Sequence, residues 1–141
     1  MSESGGKNLA GQNLVSASFR GEMLCDADLS GTILVQADML NCDLSGANLK
    51  GADLTGADLT DADLSGACLV DAKLTRSRLR GALFGGADLT GATLAQTDLQ
   101  DADFRGAKFD IDKLDISGAR AWQQAKWDEA VLAALKAKLG E

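Results

Sequence analysis

An all-β solenoid is the fold class this sequence predicts, and three observations predict it. Every fifth residue from Leu9 to Leu114 is large and apolar, 22 positions without an insertion, of which 17 are Leu and the others Phe19, Met39, Phe84, Phe104 and Phe109. At the position two before each a small residue dominates, Ala in 14 of the 22. The residue two after each is Gly in 11 of the 22 and often Asp, Asn or Gln in the rest, types that enter turns at low steric cost.

A helix advances by about 100° per residue and would spread this column around its whole circumference. A flat strand would send successive members to opposite faces, half of them into water. Burial is possible only if the chain turns a corner every five residues, so that each short side points its Leu and the preceding Ala at a common axis. Stacked rungs of this kind bury their apolar sides against one another. Leu49, Leu54, Leu59 and Leu64 with Ala47, Ala52, Ala57 and Ala62 are the expected core. The absence of proline keeps every backbone N–H available to a neighbouring rung.

Taken in order, residues 1–6 read as a disordered tail, without the basic and apolar regions of a secretory signal. Residues 7–116 read as the solenoid, and 117–141 as a C-terminal extension with an α-helix over about 128–139. The runs Ala47-Asn48-Leu49-Lys50-Gly51 and Ala52-Asp53-Leu54-Thr55-Gly56 resemble the pentapeptide-repeat family, whose motif is Ala, Asp or Asn, Leu and two variable residues. The match extends from Lys7 to about Leu114. The resemblance implies a right-handed quadrilateral β-helix with four pentapeptides per coil, hence about five and a half coils and about 26 Å of rod at strand spacing. Residues twenty apart make sensible vertical neighbours: Phe84 with Phe104, Asp58 with Arg78 and Asp98, Val15 with Val35. Asp43 over Asp63 is a like-charge contact that costs a little when exposed.

The ends of a stack need their own solution. The small inward position holds Lys7, Gln12 and Glu22 in the first coil and Asp112 in the last repeat, as polar groups can only where the axis opens to water. Such charges also discourage strand addition. In the extension Asp128 reads as the helix N-cap, with Trp127 stapled against Leu132. Val131, Leu132, Leu135 and Leu139 form one apolar stripe, Lys136 and Lys138 the last turn, and Gly140 the stop. The stripe with Trp122 and Trp127 is expected to cap the rod or to form a homodimer contact there; C-terminal extensions of family relatives do both.

Composition limits the chemistry. With 22 large apolar side chains, at about 1.5–3 kcal/mol each for full burial, the core is ample for one domain. No apolar run is long enough to cross a bilayer, and a soluble cytoplasmic protein is expected. Cys42 takes an inward small position while Cys25 and Cys68 point outward, without disulfide or metal spacing. There is no His and no Tyr, which removes His-based triads, bases and metal sites. Gly85-Gly86-Ala87-Asp88 is a corner, lacking the lysine and helix of a phosphate loop. Stacked carboxylates such as Asp38 with Asp58 offer too few converging oxygens for Ca²⁺. No cofactor and no enzymatic activity are expected.

Charge is polarised. Lys7 through Asp71 holds ten acidic and three basic residues, and Lys73 through Lys113 six acidic and seven basic. Lys73, Arg76, Arg78 and Arg80 form a basic band, read as a salt-bridged face with Arg78 neutralised by Asp58 and Asp98, and no direct nucleic-acid binding is expected. The leading reading is a non-catalytic scaffold presenting flat faces to an unknown protein partner, with Val15, Ile33, Val35, Asp38, Asp43, Asp58 and Asp63 as the candidate surface, Leu40 around the corner and Leu83 on another face. The resemblance also implies an alternative, since some relatives imitate duplex DNA for gyrase or another type II topoisomerase and thereby modulate quinolone action. Duplex of the same length carries roughly 15 charges at one per 1.7 Å, against a net charge of −7 here. The chain is also shorter than the topoisomerase-binding members and lacks an insertion for a projecting loop.

Overall fold

The computed structural model describes residues 6–140. Backbone pairing repeats every twenty residues: Asn8 with Asp28, Asp28 with Asn48, Asn48 with Cys68, and so on around the chain, always parallel. Each turn therefore uses four pentapeptides. Among the described residues the pairing consists of isolated bridges, one residue per side, and not of continuous strands. The reason is the corner every five residues, which leaves room for only one ladder residue between bends.

The four sides are centred on these bridge residues. Side 1 carries Asn8, Asp28, Asn48, Cys68, Asp88 and Lys108; side 2 carries Asn13, Ile33, Asp53, Lys73 and Thr93. Side 3 carries Ser18, Asp38, Asp58, Arg78, Asp98 and Arg120; side 4 carries Met23, Asp43, Asp63, Leu83, Asp103 and Lys126. In a typical rung Asp53 N donates to Thr32 O below at 2.9 Å, and Leu54 N donates to Lys73 O above at 2.7 Å. The corner follows at once: Ala57 N donates back to Leu54 O at 3.0 Å, with Gly56 at φ 71°. That is a turn needing a left-handed third residue, which glycine supplies without a clash. Where the corner residue is Asp26, its carboxylate lies over Gly46 one coil on, and a side chain at Gly46 would collide with Asp26 Oδ1.

The inward residues meet in one dry shaft. Leu49, Leu54, Leu59 and Leu64, with Ala47, Ala52, Ala57 and Ala62, are fully buried. Thr32, Ser77 and Thr97 replace Ala without leaving an unsatisfied group, because each hydroxyl donates to the carbonyl three residues earlier, as Ser77 does to Leu74 O at 2.6 Å. Cys42 is buried in the same position, and Cys25 and Cys68 are half-buried.

The expected tail over residues 1–6 lies outside the described residues except for Gly6, which donates its amide to Cys25 O at 3.1 Å and so joins the first coil. Nor does the stack stop at residue 116, where the pentapeptide spacing stops. Arg120 pairs with Asp98 and Lys126 with Asp103, so sides 3 and 4 are completed by an irregular segment. A 3₁₀ turn at Trp122–Gln124 lies between them. The helix α1, Glu129–Leu139, then crosses the end.

Trp127 continues the inward column of side 4, stacked on Phe104 at 4.5 Å and 9°, as Phe104 is stacked on Phe84 at 4.5 Å and 9°. Its indole N–H donates to Trp122 O at 2.9 Å. Trp127 is therefore not the staple against Leu132 expected from the sequence; its ring belongs to the shaft. Asp128 stands at the helix N-cap but makes no side-chain cap bond there. Its Oδ2 accepts the Gly106 amide at 2.9 Å and pins the helix start to the rod. At the other end Lys138 Nζ donates to the carbonyls of Ile111, Asp112 and Leu114 at 2.6, 3.2 and 3.0 Å. Trp122, Trp127, Val131 and Leu135 are buried and Leu132 half-buried, but Leu139 is exposed. At about 100° per residue Lys138 falls closer to the line of Val131 and Leu135 than Leu139 does, and Lys138 is the residue that turns toward the rod. Gly140 ends the helix at φ 76°, its amide returning to Lys136 O.

Candidate functional site

The outward Asp or Asn of each pentapeptide is a corner residue before it is a surface charge. Asp53 Oδ1 accepts the Thr55 amide at 3.1 Å and the Thr55 hydroxyl at 2.6 Å. Asp28, Asp43, Asp58 and Asp88 make the same pair of bonds with Ser30, Ser45, Thr60 and Thr90. This is an Asx turn, in which a short carboxylate takes up an amide the corner would otherwise leave unpaired. The Asp-Leu-Ser and Asp-Leu-Thr triplets are the sequence signal of this turn. The Ser30 hydroxyl and amide hold the Asp28 carboxyl below the usual range, and Thr90 does the same for Asp88.

The candidate carboxylates divide between two adjoining sides, Asp38 and Asp58 on side 3, Asp43 and Asp63 on side 4. On side 3 each is paired with an arginine. Arg20 reaches Asp38 at 2.9 Å, Arg78 reaches Asp58 at 3.6 Å, and Asp98 is approached by Arg80 at 3.7 Å and Arg120 at 3.6 Å. Arg78 thus pairs with Asp58, while Asp98, expected to share it, belongs to two other arginines. The arginines are more than half exposed, and such pairs contribute about 0–1 kcal/mol. Their effect is to mask charge. Arg20 holds the Asp38 carboxyl below its ordinary value through a hydrogen bond and Coulomb attraction. The open groove of about 690 Å³ along this ladder is lined by Asp58, Asp61, Arg78, Arg80, Asp98 and Arg120 among others.

Side 4 differs: Asp43 and Asp63 are bound at their corners by Ser45 and Ser65. Leu83 and Met23 flank them in the same column, and both are exposed. Met23, at 52 %, is the most exposed large apolar side chain among the described residues. Met23 stands outside the candidate surface expected from the sequence, although its place one before the inward Leu24 is the same outward place that Ile33 holds before Leu34. Val15 and Val35 stand on the corner between sides 2 and 3 in successive coils, beside Ile33 on side 2. Val15 and Ile33 are exposed, Val35 and Leu40 half-buried.

No three cysteine or carboxylate side chains converge as a metal site among the described residues. Burial, reinforced by Glu22 and Asp43, pushes the Cys42 thiol up to about 12, so it stays protonated and unreactive at neutral pH. Among the described residues, no helix is long and apolar enough to cross a membrane.

A family model described as pentapeptide repeats matches residues 6–41, 37–76 and 72–110. No curated protein matches the chain. Among solved structures it is similar to Rfr23, a pentapeptide repeat protein from the cyanobacterium Cyanothece 51142, with 26% identity and a TM-score of 0.60 over 87% of this chain and 89% of that one. It is also similar to a pentapeptide repeat protein of the Arabidopsis thaliana thylakoid lumen, with 32% identity and a TM-score of 0.48 over 70% of this chain and 65% of that one. QnrB1, a plasmid-mediated fluoroquinolone resistance protein, matches at 20% identity and a TM-score of 0.33 over 99% of this chain and 91% of that one, a likeness that carries no argument about function.

Proposed function

We propose, from the premise that this chain belongs to the pentapeptide-repeat family, that it is a non-catalytic cytoplasmic scaffold whose flat sides hold side chains in fixed array for a protein partner. The winding is taken as right-handed, as the family resemblance implies, with about five and a half coils; the last pentapeptide, around Leu114, turns back on Asp110 and Ile111 and does not pair with Thr93. The observation that carries the reading is the cluster of Val15 and Ile33, both exposed, beside half-buried Val35. These residues sit on a backbone held by bonds between every pair of rungs, so presenting them to a partner costs little ordering entropy. The absence of His and Tyr supports a role without chemistry or cofactor. The test is capture of a specific partner by the intact protein and its loss with Ile33→Asp or Val35→Asp. Capture that both variants leave unchanged removes this surface from the reading.

The acidic first half of the rod favours a second reading, modulation of a type II topoisomerase such as gyrase by imitation of DNA. The masking of Asp38 and Asp58 by Arg20 and Arg78 weighs against it. On this reading the protein inhibits gyrase supercoiling at micromolar concentration, and neutralising Asp38, Asp58 and Asp63 abolishes the inhibition. No inhibition at high excess discards it.

A further inference from the structure

Among the described residues, no segment lies over the N-terminal end of the rod as α1 lies over the C-terminal end. Leu9, Leu14 and Phe19 are half-buried, whereas their counterparts one coil on, Leu29, Leu34 and Met39, are fully buried. Around the mouth of the shaft stand Lys7 on side 1, Gln12 on side 2, Ala17 on side 3 and Glu22 on side 4, with Lys7, Gln12 and Glu22 exposed. The rung itself is half used. In each interior coil the bridge residue points both its N–H and its C=O toward the coil below, as Asp28 does toward Lys7 and Leu9. By the same repeat Asn8, Asn13, Ser18 and Met23 point theirs at the open end.

Two such ends can meet about a twofold axis lying across the rod, and the square section allows side-on-side contact for about four axes. The strands then run antiparallel, because turning one rod over reverses the sense in which its chain circulates. An axis through the middles of sides 1 and 3 lays side 1 on itself and brings Lys7 to Lys7. An axis through the middles of sides 2 and 4 brings Glu22 to Glu22. The diagonal through the side 1–2 corner sets Lys7 with Gln12 and Glu22 with Ala17. The remaining diagonal lays side 1 on side 4 and side 2 on side 3. It places Lys7 of each copy on the same side of the shaft as Glu22 of the other, within reach of two long side chains, and Leu14 against Phe19. It also runs through the corner between sides 2 and 3, where Val15, 48 % exposed, meets Val15 of the second copy.

We propose that the N-terminal coil is an isologous docking surface for a second copy of this chain, joined head to head in this last register. Asn8 then faces Met23 and Asn13 faces Ser18, and if each facing pair exchanges both backbone bonds, about eight hydrogen bonds close the rung. Lys7 and Glu22 reject a foreign strand edge and yet match their own copy, so that repulsion and attraction together set the specificity. Of the residues proposed above for the scaffold's partner only Val15 lies at this junction; Lys7 and Glu22 lie outside that surface, so their exchange tests the dimer separately from partner capture.

The test is sedimentation of the full chain over a wide concentration range. The wild type forms a dimer. Lys7→Glu and Glu22→Lys each raise the dissociation constant about tenfold or more, and the double exchange K7E/E22K restores it, a rescue that a merely structural role would not give. With Cys25 and Cys68 changed to Ser, Val15→Cys forms a disulfide-linked dimer under mild oxidation, while Leu139→Asp at the other end leaves association unchanged. A monomer at every concentration overturns the proposal, whether the end is covered by residues 1–5 or by a different protein. So does a dimer that withstands Lys7→Glu with its circular dichroism intact, or one that dissociates on Leu139→Asp.

Discussion

At its C-terminal end the rod continues its aromatic column with Trp127, completes two sides with a segment of broken spacing and lays a pinned helix over the opening. At its N-terminal end it leaves Leu9, Leu14 and Phe19 half-buried around a mouth lined by Lys7, Gln12 and Glu22. Both ends solve the same problem, a last rung with backbone groups and apolar side chains to spare. The difference teaches that one end is finished by the chain's own helix, while the other, among the described residues, keeps its first apolar side chains only half-buried.

The largest break in that comparison comes from removing the cover. Truncation after Arg120 takes away Trp122, Trp127, Val131 and Leu135, all buried, at about 1.5–3 kcal/mol each. A loss of at least about 6 kcal/mol is expected, read as a much lower melting temperature with aggregation by light scattering. A well-behaved chain with an unaltered melt means that the helix covers nothing that matters.

A pair of equal substitutions sharpens the contrast. Phe104→Ala, between Phe84 and Trp127, should cost about 3–5 kcal/mol in chemical denaturation, and Phe19→Ala, at the open mouth, half of that or less. Measured at dilutions where the chain is monomeric, equal costs would mean that the first coil is covered by the chain itself. If the Phe19→Ala cost grows with protein concentration, the cover is a second copy.

The middle of the rod was legible from spacing alone because the same five residues recur and nothing competes with them. The ends were not. Arg120 lies 22 residues beyond Asp98 and Lys126 lies 23 beyond Asp103, so the register resumes after short insertions that break any fixed-period search. Trp127 reads as part of a helix start when only its neighbours Asp128 and Leu132 are considered; its place above Phe104 appears only once those insertions are allowed. The candidate surface was legible in kind but not in grouping. Outward positions could be read from the repeat, yet which carboxylates an arginine masks depends on where long side chains lie, and Arg80 reaches Asp98, not the coil below.

A smaller effect tests how the helix is fastened. Asp128→Ala removes the acceptor of the Gly106 amide, and Lys138→Met removes the donor to three carbonyls. Each should cost about 1–2 kcal/mol, toward the low end for hydrogen bonds to charged groups because both side chains are exposed. Hydrogen exchange should then rise in the helix and in residues 106–114, and not in the first coil. Faster exchange at both ends would mean that the ends are coupled through the shaft.

The smallest effect is expected where one surface pair ties the open coil to the rest. Arg20 belongs to the first coil and Asp38 to the second, and their contact at 2.9 Å spans the joint; at the covered end, Arg105 pairs with Asp103 two residues away and spans nothing. Both carboxyls sit below the usual carboxylate range because of these arginines. A depressed folded pKa gives stabilisation that is present above the unfolded value and is lost as pH falls through the folded one, so both pairs fail only in acid, below about pH 4. Arg20→Gln should raise the Asp38 value toward the ordinary one in a carboxyl NMR titration and quicken exchange of the first-coil amides. Arg105→Gln should raise Asp103 in the same way and leave exchange alone. If Arg20→Gln shifts the titration and the first coil exchanges as before, that coil is held by its rungs, and the open end is firmer than its missing cover suggests.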